Sequence, residues 1–292
     1  MLAGDNASGA GPTATASGAR STATASGTGS ASTAVSRGQL VGDLRRLGVE
    51  AGQTLLVHAS LRSIGWVKGG ATTVVGALRE AVGDDGNIVV PASTEANSMT
   101  SRAHRKRIAS MTADEVRKYK LEMPAFDRDT TPSGGGAISE AVRKSKGAVR
   151  SAHPQSSFAA VGPEAEQLMA DHQLESHLGE ASPLAKLYKM EARVLMIGVG
   201  YQTCTAFHLA EYRYRPDPPT RAYACVLCID GERHWTGYHD VELDDSEFEN
   251  IGEALAAELA IEPGYVGKAE CRLMSLPNAV DFAAKWMAIH RK

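Results

Sequence analysis

Cys204, His208 and Glu211 stand in TCTAFHLAEYRYR, directly after the apolar run ARVLMIGVG. The run reads as a buried strand and its sequel as the first turns of a helix. In α/β proteins, ligands and reactive groups gather at the carboxyl ends of strands. Spacings of four and three residues put these three side chains on one helical face. A histidine with a carboxylate one turn away is the arrangement of an oriented general base. A thiol four residues before a histidine could instead be activated as a nucleophile. A metal site is less well supported, because there is no HExxH and no notable third ligand nearby. The plainest alternative is a helix face of ordinary polar residues, and the residues alone leave it open.

A second stretch, VHASLRSIGWVKGGATTVVGALREAV, runs from strand through glycine-rich loop to helix N-terminus. Loop amides and the helix dipole favour an anion such as phosphate there. It matches neither a Walker loop nor GxGxxG. Arg62 and Lys68 could add positive charge, and an ordinary βα loop is the competing reading. Elsewhere, His153 and Pro154 precede a strand, and His172 and His177 lie near Glu180 and Ser182. Ser182 before Pro183 reads as a helix N-cap. CVLC at 225–228 does not read as a zinc site. An odd separation puts its cysteines on opposite faces of a strand, and no second pair follows.

The elements that must position these residues alternate early and pair late. RGQLVGDLRRLGV, TTVVGALREAV and AISEAVRKS read as helices; QTLLVHAS, GNIVVPAST and QSSFAAVG read as strands. Residues 96–136 are polar and irregular around a basic helical stretch, SRAHRKRIAS. PEAEQLMADHQ, SPLAKLYKM and EFENIGEALAAELA are further helices. AYACVLCID and RHWTGYHDVEL read as an antiparallel pair around DGE. GKAECRLMSL is a strand, and the last helix closes the chain. The pattern predicts one α/β domain over 37–292, a central mixed β-sheet flanked by helices. Residues 1–36, almost wholly Ala, Gly, Ser and Thr, predict a disordered tail. They lack the basic and apolar regions of a signal peptide.

The bulk composition narrows the partners. A net charge of -3 gives no overall attraction to nucleic acid or to an anionic membrane. No apolar run approaches the roughly 20 residues of a membrane helix. Four cysteines in 292 residues make no disulfide framework, so a reduced, cytoplasmic setting is expected. The sequence leaves open whether the chain works alone or as a homodimer.

Six fragments decide between the open readings by their order: LLVHASLRSIGWVKGGATTVVGAL, GNIVVPAST, FDRDTTPSGGGAISEAVR, RSAHPQSSFAAVGPEAEQL, LGEASPLAKLY and VLMIGVGYQTCTAFHLAEYR. Together they resemble the aminoglycoside 3-N-acetyltransferase family, antibiotic N-acetyltransferases unrelated to the GCN5-type fold. The similarity runs from about Gly38 to Trp286. It implies acetyl transfer from acetyl-coenzyme A to an amine, without a metal. The family's coenzyme A loop falls on His58, Ala59, Ser60, Leu61, Ser63, Gly65, Val67 and Gly69. Its catalytic segment falls on Thr205, His208 and Glu211, and it implies no role for Cys204. Gly135 stands where a bulkier residue is usual, which bears on local packing.

The implied chemistry is general-base catalysis. A protonated aminoglycoside amine must lose a proton before it attacks a thioester, a task suited to imidazole. Glu211 would orient the ring of His208, and Thr205 with nearby amides would hold the oxyanion. The acceptor is polycationic, so its groove should be acidic. Asp171, Glu175, Asp240 and Glu242 are the expected contributors, with His172 beside them. Two competing readings keep other functions in view. One is the same fold acting on a different amine in antibiotic or secondary-metabolite biosynthesis; the other is a non-catalytic coenzyme A-binding protein.

Overall fold

The computed structural model describes residues 34–94, 97–99 and 101–291, and only the backbone of Arg102 and Ala103. In chain order the first elements are α1 (Arg37–Arg46), β1 (Thr54–Ala59), α2 (Leu61–Ile64), α3 (Gly70–Val82) and β2 (Asn87–Pro91). Next come α4 (Arg102–Ile108), α5 (Ala113–Glu122), α6 (Gly136–Arg143), β3 (Val149–Arg150), β4 (Phe158–Val161), α7 (Ala165–Met169) and α8 (Pro183–Lys189). The last are β5 (Arg193–Ile197), α9 (Phe207–Glu211), β6 (Thr220–Ile229), β7 (Glu232–Val241), α10 (Phe248–Glu258), β8 (Gly264–Val266), β9 (Ala269–Ser275) and α11 (Leu276–His290).

Seven strands form one mixed sheet in the order β3-β4-β2-β1-β5-β9-β8. Its centre, β2-β1-β5, is parallel, and the flanking pairs are antiparallel. The central strands are continuous apolar runs because helices cover both faces. The pleat divides them: Leu55, Val57, Leu195 and Ile197 face α1, α3 and α6, while Leu56, Val194 and Met196 face α8 to α11. Hydrophobic burial on both sides of one sheet is what holds the carboxyl ends of β1, β2 and β5 in a common row.

The β6–β7 hairpin stands apart as a two-stranded sheet. Asp230 and Gly231 both take left-handed backbone (φ 52 and 79), so a two-residue turn of the type favoured in hairpins joins the strands. Cys225 is buried and Cys228 exposed, as opposite strand faces require.

Four departures from the sequence pattern have local causes. Val35 and Ser36, assigned to the tail by composition, belong to the fold. The Val35 amide donates to the Trp66 carbonyl at 2.8 Å, and Ser36 forms a capping box with Gln39 at the head of α1. The remainder of the expected tail, residues 1–33, lies outside the described residues. β3 and β8, of two and three residues, are too short to show a period. α5 has no buried residue, so no apolar stripe announces it; a Thr112–Glu115 capping box holds its start. Gly135 packs against β2, where a Cβ would lie 2.6 Å from the Pro91 carbonyl oxygen. No described helix is long and apolar enough to cross a membrane.

Candidate active site

Two loops, after β1 and after β5, build the centre. Ser60 caps α2 by accepting from the Ser63 amide, and the Ser63 hydroxyl donates to the Gly198 carbonyl at 3.0 Å. That contact needs glycine at 198. Its φ is 63, and a Cβ there would lie 2.2 Å from Cβ of Ser63. β1 and β5 pair in register with His58 beside Met196, so the two loops leave the sheet together.

Beyond Gly198 a single 3-10 turn, Tyr201–Thr203, precedes α9. α9 begins only at Phe207, and this separates the three residues expected on one face. His208 and Glu211 are on the helix, with Nδ1 and Oε2 2.7 Å apart. Cys204 lies before it, fully buried. Burial pushes its thiol up to about 12. Thr205 is half-buried one turn before His208 and accepts the His208 amide on its carbonyl; its hydroxyl has no partner among the described residues.

The Glu211 side chain is 1% exposed and fully engaged. Oε2 accepts from His208, while Oε1 accepts from the Asp244 amide at 2.8 Å and from Arg291 Nη1 at 2.7 Å. The imidazole ring also meets the Phe248 ring edge-on, with centroids 4.6 Å apart. Because Nδ1 donates to the carboxylate, the lone pair sits on Nε2, which has no hydrogen-bond partner among the described residues.

His208 opens into a cavity of about 950 Å³. Four carboxylate residues line it, Glu242, Asp244, Asp245 and Glu247, together with Arg105, Arg221 and Arg291. Ser98 and Ser101, which follow β2, reach the same cavity. His177, Gln155 and Tyr223 form part of its wall.

On the β1 side, His58 is buried and its Nε2 has no hydrogen-bond partner among the described residues. Burial, with the nearby charge of His208, lowers its pKa to about 4. The loop thus reaches the neighbourhood of the His208–Glu211 pair. Ala59, Ser60, Leu61, Ser63 and Gly65 are half-buried around α2, Val67 is buried, and Gly69 stands at the N-cap of α3, where no side chain caps the helix. These loop residues are contiguous at the carboxyl end of β1.

The acidic groove is built from other residues than most of those expected. Asp171 and Glu175 are exposed and lie outside the cavity lining. His172 is buried, its ring held between the Ser151 hydroxyl and the His177 carbonyl, both at 2.9 Å. Asp240 is buried behind the wall, where it accepts from the amide and Nδ1 of His177 and from the Tyr212 hydroxyl. Glu242 does line the cavity. Asp244, Asp245 and Glu247 are not among the expected groove residues, although the acidic run DDSEFE marks them, and Arg291 carries no sequence signal.

The sequence model for aminoglycoside 3-N-acetyltransferase matches residues 56–288. The chain belongs to the aminoglycoside 3-N-acetyltransferase family. A relative in Bacillus subtilis, the SPbeta prophage-derived aminoglycoside N(3')-acetyltransferase-like protein YokD, is 39% identical over 253 residues, 86% of this chain and 92% of its own. The crystal structure of YokD gives a TM-score of 0.82 at 37% identity, over 88% of this chain and 95% of that one. Two liganded enzymes share the fold. AAC-IIIb, in a binary complex with CoASH, has a TM-score of 0.77 at 27% identity, over 87% of this chain and 97% of its own. AAC-VIa bound to sisomicin has a TM-score of 0.76 at 34% identity, over 89% and 100%. The family's chemistry is N-acetyl transfer, and the protein is an N-acetyltransferase of the non-GCN5 fold.

Proposed function

We propose that this protein transfers acetyl from acetyl-coenzyme A to an aminoglycoside amine, the 3-amino group, with His208 as general base. The observation that carries this is the His208–Glu211 pair opening into a cavity lined by four carboxylate residues and three arginines. Donation from Nδ1 to Glu211 fixes the tautomer whose Nε2 accepts a proton on the cavity side. A neutral amine attacks the thioester carbonyl, and the proton it sheds goes to Nε2. Glu211 stabilises the imidazolium. Collapse of the tetrahedral intermediate breaks the C–S bond, and the coenzyme A thiolate takes the proton from Nε2. The Thr205 hydroxyl is the proposed donor to the oxyanion.

The donor sits on the His58–Gly69 loop, its phosphates toward the uncapped N-terminus of α3. The coenzyme A complex of AAC-IIIb supports acetyl-coenzyme A as the donor. The acceptor's ammonium groups meet Glu242, Asp245 and Glu247, and the sisomicin complex of AAC-VIa supports an aminoglycoside as the acceptor. Acetyl-coenzyme A is a cytoplasmic metabolite, so the reaction is placed in the cytoplasm, where it would confer resistance. The test is incubation with acetyl-coenzyme A and a panel of aminoglycosides and simpler amines. One acetyl gained by an aminoglycoside, located at the 3-amino nitrogen by NMR, supports the proposal. Acetylation of other amines alone would assign a different acceptor to the same site.

A further inference from the structure

We infer that Arg291 is a positioning residue of the acetyl-transfer centre, acting through Glu211 on His208; the inference rests on His208 being the base. Arg291 lies just past α11, outside the residues matched by the family model and 80 positions from Glu211. Each of its three guanidinium nitrogens nonetheless bonds to the segment around the pair. Nη1 donates to Glu211 Oε1, Nε to Glu247 Oε2, and Nη2 to the Asp244 carbonyl, each at 2.7 Å. Its side chain is 14% exposed and that of Glu211 1%.

The geometry divides the work on one carboxylate. Glu211 has two oxygens, and only Oε2 faces His208. A buried carboxylate needs its other lone pairs occupied by donors, or it rotates or takes up a proton. The Asp244 amide and Arg291 supply those donors, and Arg291 also holds the Asp244 carbonyl, so it is one partner of Oε1 and steadies the residue that carries the other. Only a planar fork can reach a carboxylate, a second carboxylate and a carbonyl at once. Burial opposes the charge on Arg291, but its bonds to Glu211 and Glu247 outweigh this and raise its pKa. Because α11 otherwise packs against α8, α9 and α10, the last turn of the chain ties helix docking to the aim of the imidazole.

The experiment compares Arg291→Gln, Arg291→Lys and Arg291→Ala with the unaltered enzyme, with acetyl-coenzyme A and an accepted aminoglycoside. Arg291→Gln should lower kcat about 10- to 100-fold, as loss of an orienting outer partner commonly does. Arg291→Lys should lose less, and millimolar guanidinium should restore part of the turnover of Arg291→Ala. In a Glu211→Gln background, Arg291→Gln should cause no further loss, because the carboxylate it orients is gone. A purely structural role predicts additive losses and no rescue. Should Arg291→Gln fold poorly, the Lys variant and the rescue still decide. Wild-type kcat in the Gln variant, additivity with Glu211→Gln, or absence of rescue would each overturn the inference. An active His208→Ala enzyme would instead remove the base reading on which it stands.

Discussion

Two histidine–carboxylate pairs face the same cavity, and they are built for opposite ends. His208–Glu211 and His177–Asp240 have the same 2.7 Å contact through Nδ1. The difference lies at the other ring nitrogen. His208 leaves Nε2 without a described partner, and its side chain is 17% exposed. His177 is 5% exposed, and its Nε2 meets both Gln155 Oε1 and the Tyr238 hydroxyl at 2.9 Å. The Gln155 amide nitrogen is itself committed to the carbonyls of Asn97 and Ala224. A general base must offer a lone pair to the substrate, and only His208 can. His177 spends both nitrogens tying the β6–β7 hairpin to the loop between β3 and β4.

Exchanging the two roles by mutation tests that contrast most strongly. His208→Ala should fold normally and lose about 10² to 10⁴-fold in kcat, the usual general-base contribution. Asp240→Asn should do the reverse. All four hydrogen bonds to Asp240 from the described residues end on its oxygens, so an amide nitrogen there faces a donor. Breaking a buried pair of this kind costs about 3–5 kcal/mol. The melting temperature should fall sharply, while turnover per folded molecule, measured well below it, stays within a few-fold. Asp240→Asn with an intact melting temperature and a dead enzyme would place the second pair in the chemistry and erase the distinction.

The contrast was half legible in the sequence. His208 and Glu211 could be found because their spacing is local and the preceding strand is a continuous apolar run. Asp240 also stood out as an acid near the site, but sequence does not report which way a strand face turns. β7 aims it inward at His177, whereas Glu242, two positions on, lines the cavity. The sheet was readable for the same reason as the dyad, since TLLVHA, NIVVP and RVLMI need both faces covered. Its edges were not, since β3 and β8 carry too few residues for a pattern. Arg291 is invisible there because its partners lie 44, 47 and 80 positions away.

A smaller effect separates the pairs by pH. Behind His177 the wall contains buried histidines held neutral. Burial lowers His172 to about 4 and drives His153 well below its ordinary value, with the charge of His177 adding to both. Bonds to the backbone of His177 and Ser176 pull His172 partly back up. Unfolded histidines titrate near 6.5, so between that pH and about 4 the unfolded chain binds more protons than the fold. The stabilisation from a neutral buried ring is therefore complete above about 6.5 and drains away as pH falls. By pH 5 the loss for His172 is about 2 kcal/mol. Urea melts at pH 7.5 and 5 should show it, and His172→Asn should flatten the slope. A slope unchanged by that substitution would mean that His172 is charged in the folded wall.

The smallest effect belongs to Cys204, which chemistry by spacing alone would have made a third member of the first pair. A covalent route would load acetyl onto its sulfur before transfer, and would need a thiolate within reach of both His208 and the thioester. The fold denies each requirement. The side chain is 0% exposed, it precedes α9 and so does not share the His208 face, and burial raises the thiol to about 12, far from ionising at neutral pH. It packs instead beside Leu209 and Phe207 in the core that backs the dyad. Cys204→Ala should keep nearly all of kcat and lose about 1 kcal/mol of stability to the small void left behind. Incubation with acetyl-coenzyme A alone should leave the protein's mass unchanged. An acetyl adduct that vanishes in Cys204→Ala, together with loss of turnover comparable to His208→Ala, would replace direct transfer by a covalent relay. It would also mean that the loop between Thr203 and Phe207 opens during catalysis, since nothing in the closed fold lets substrate touch that sulfur.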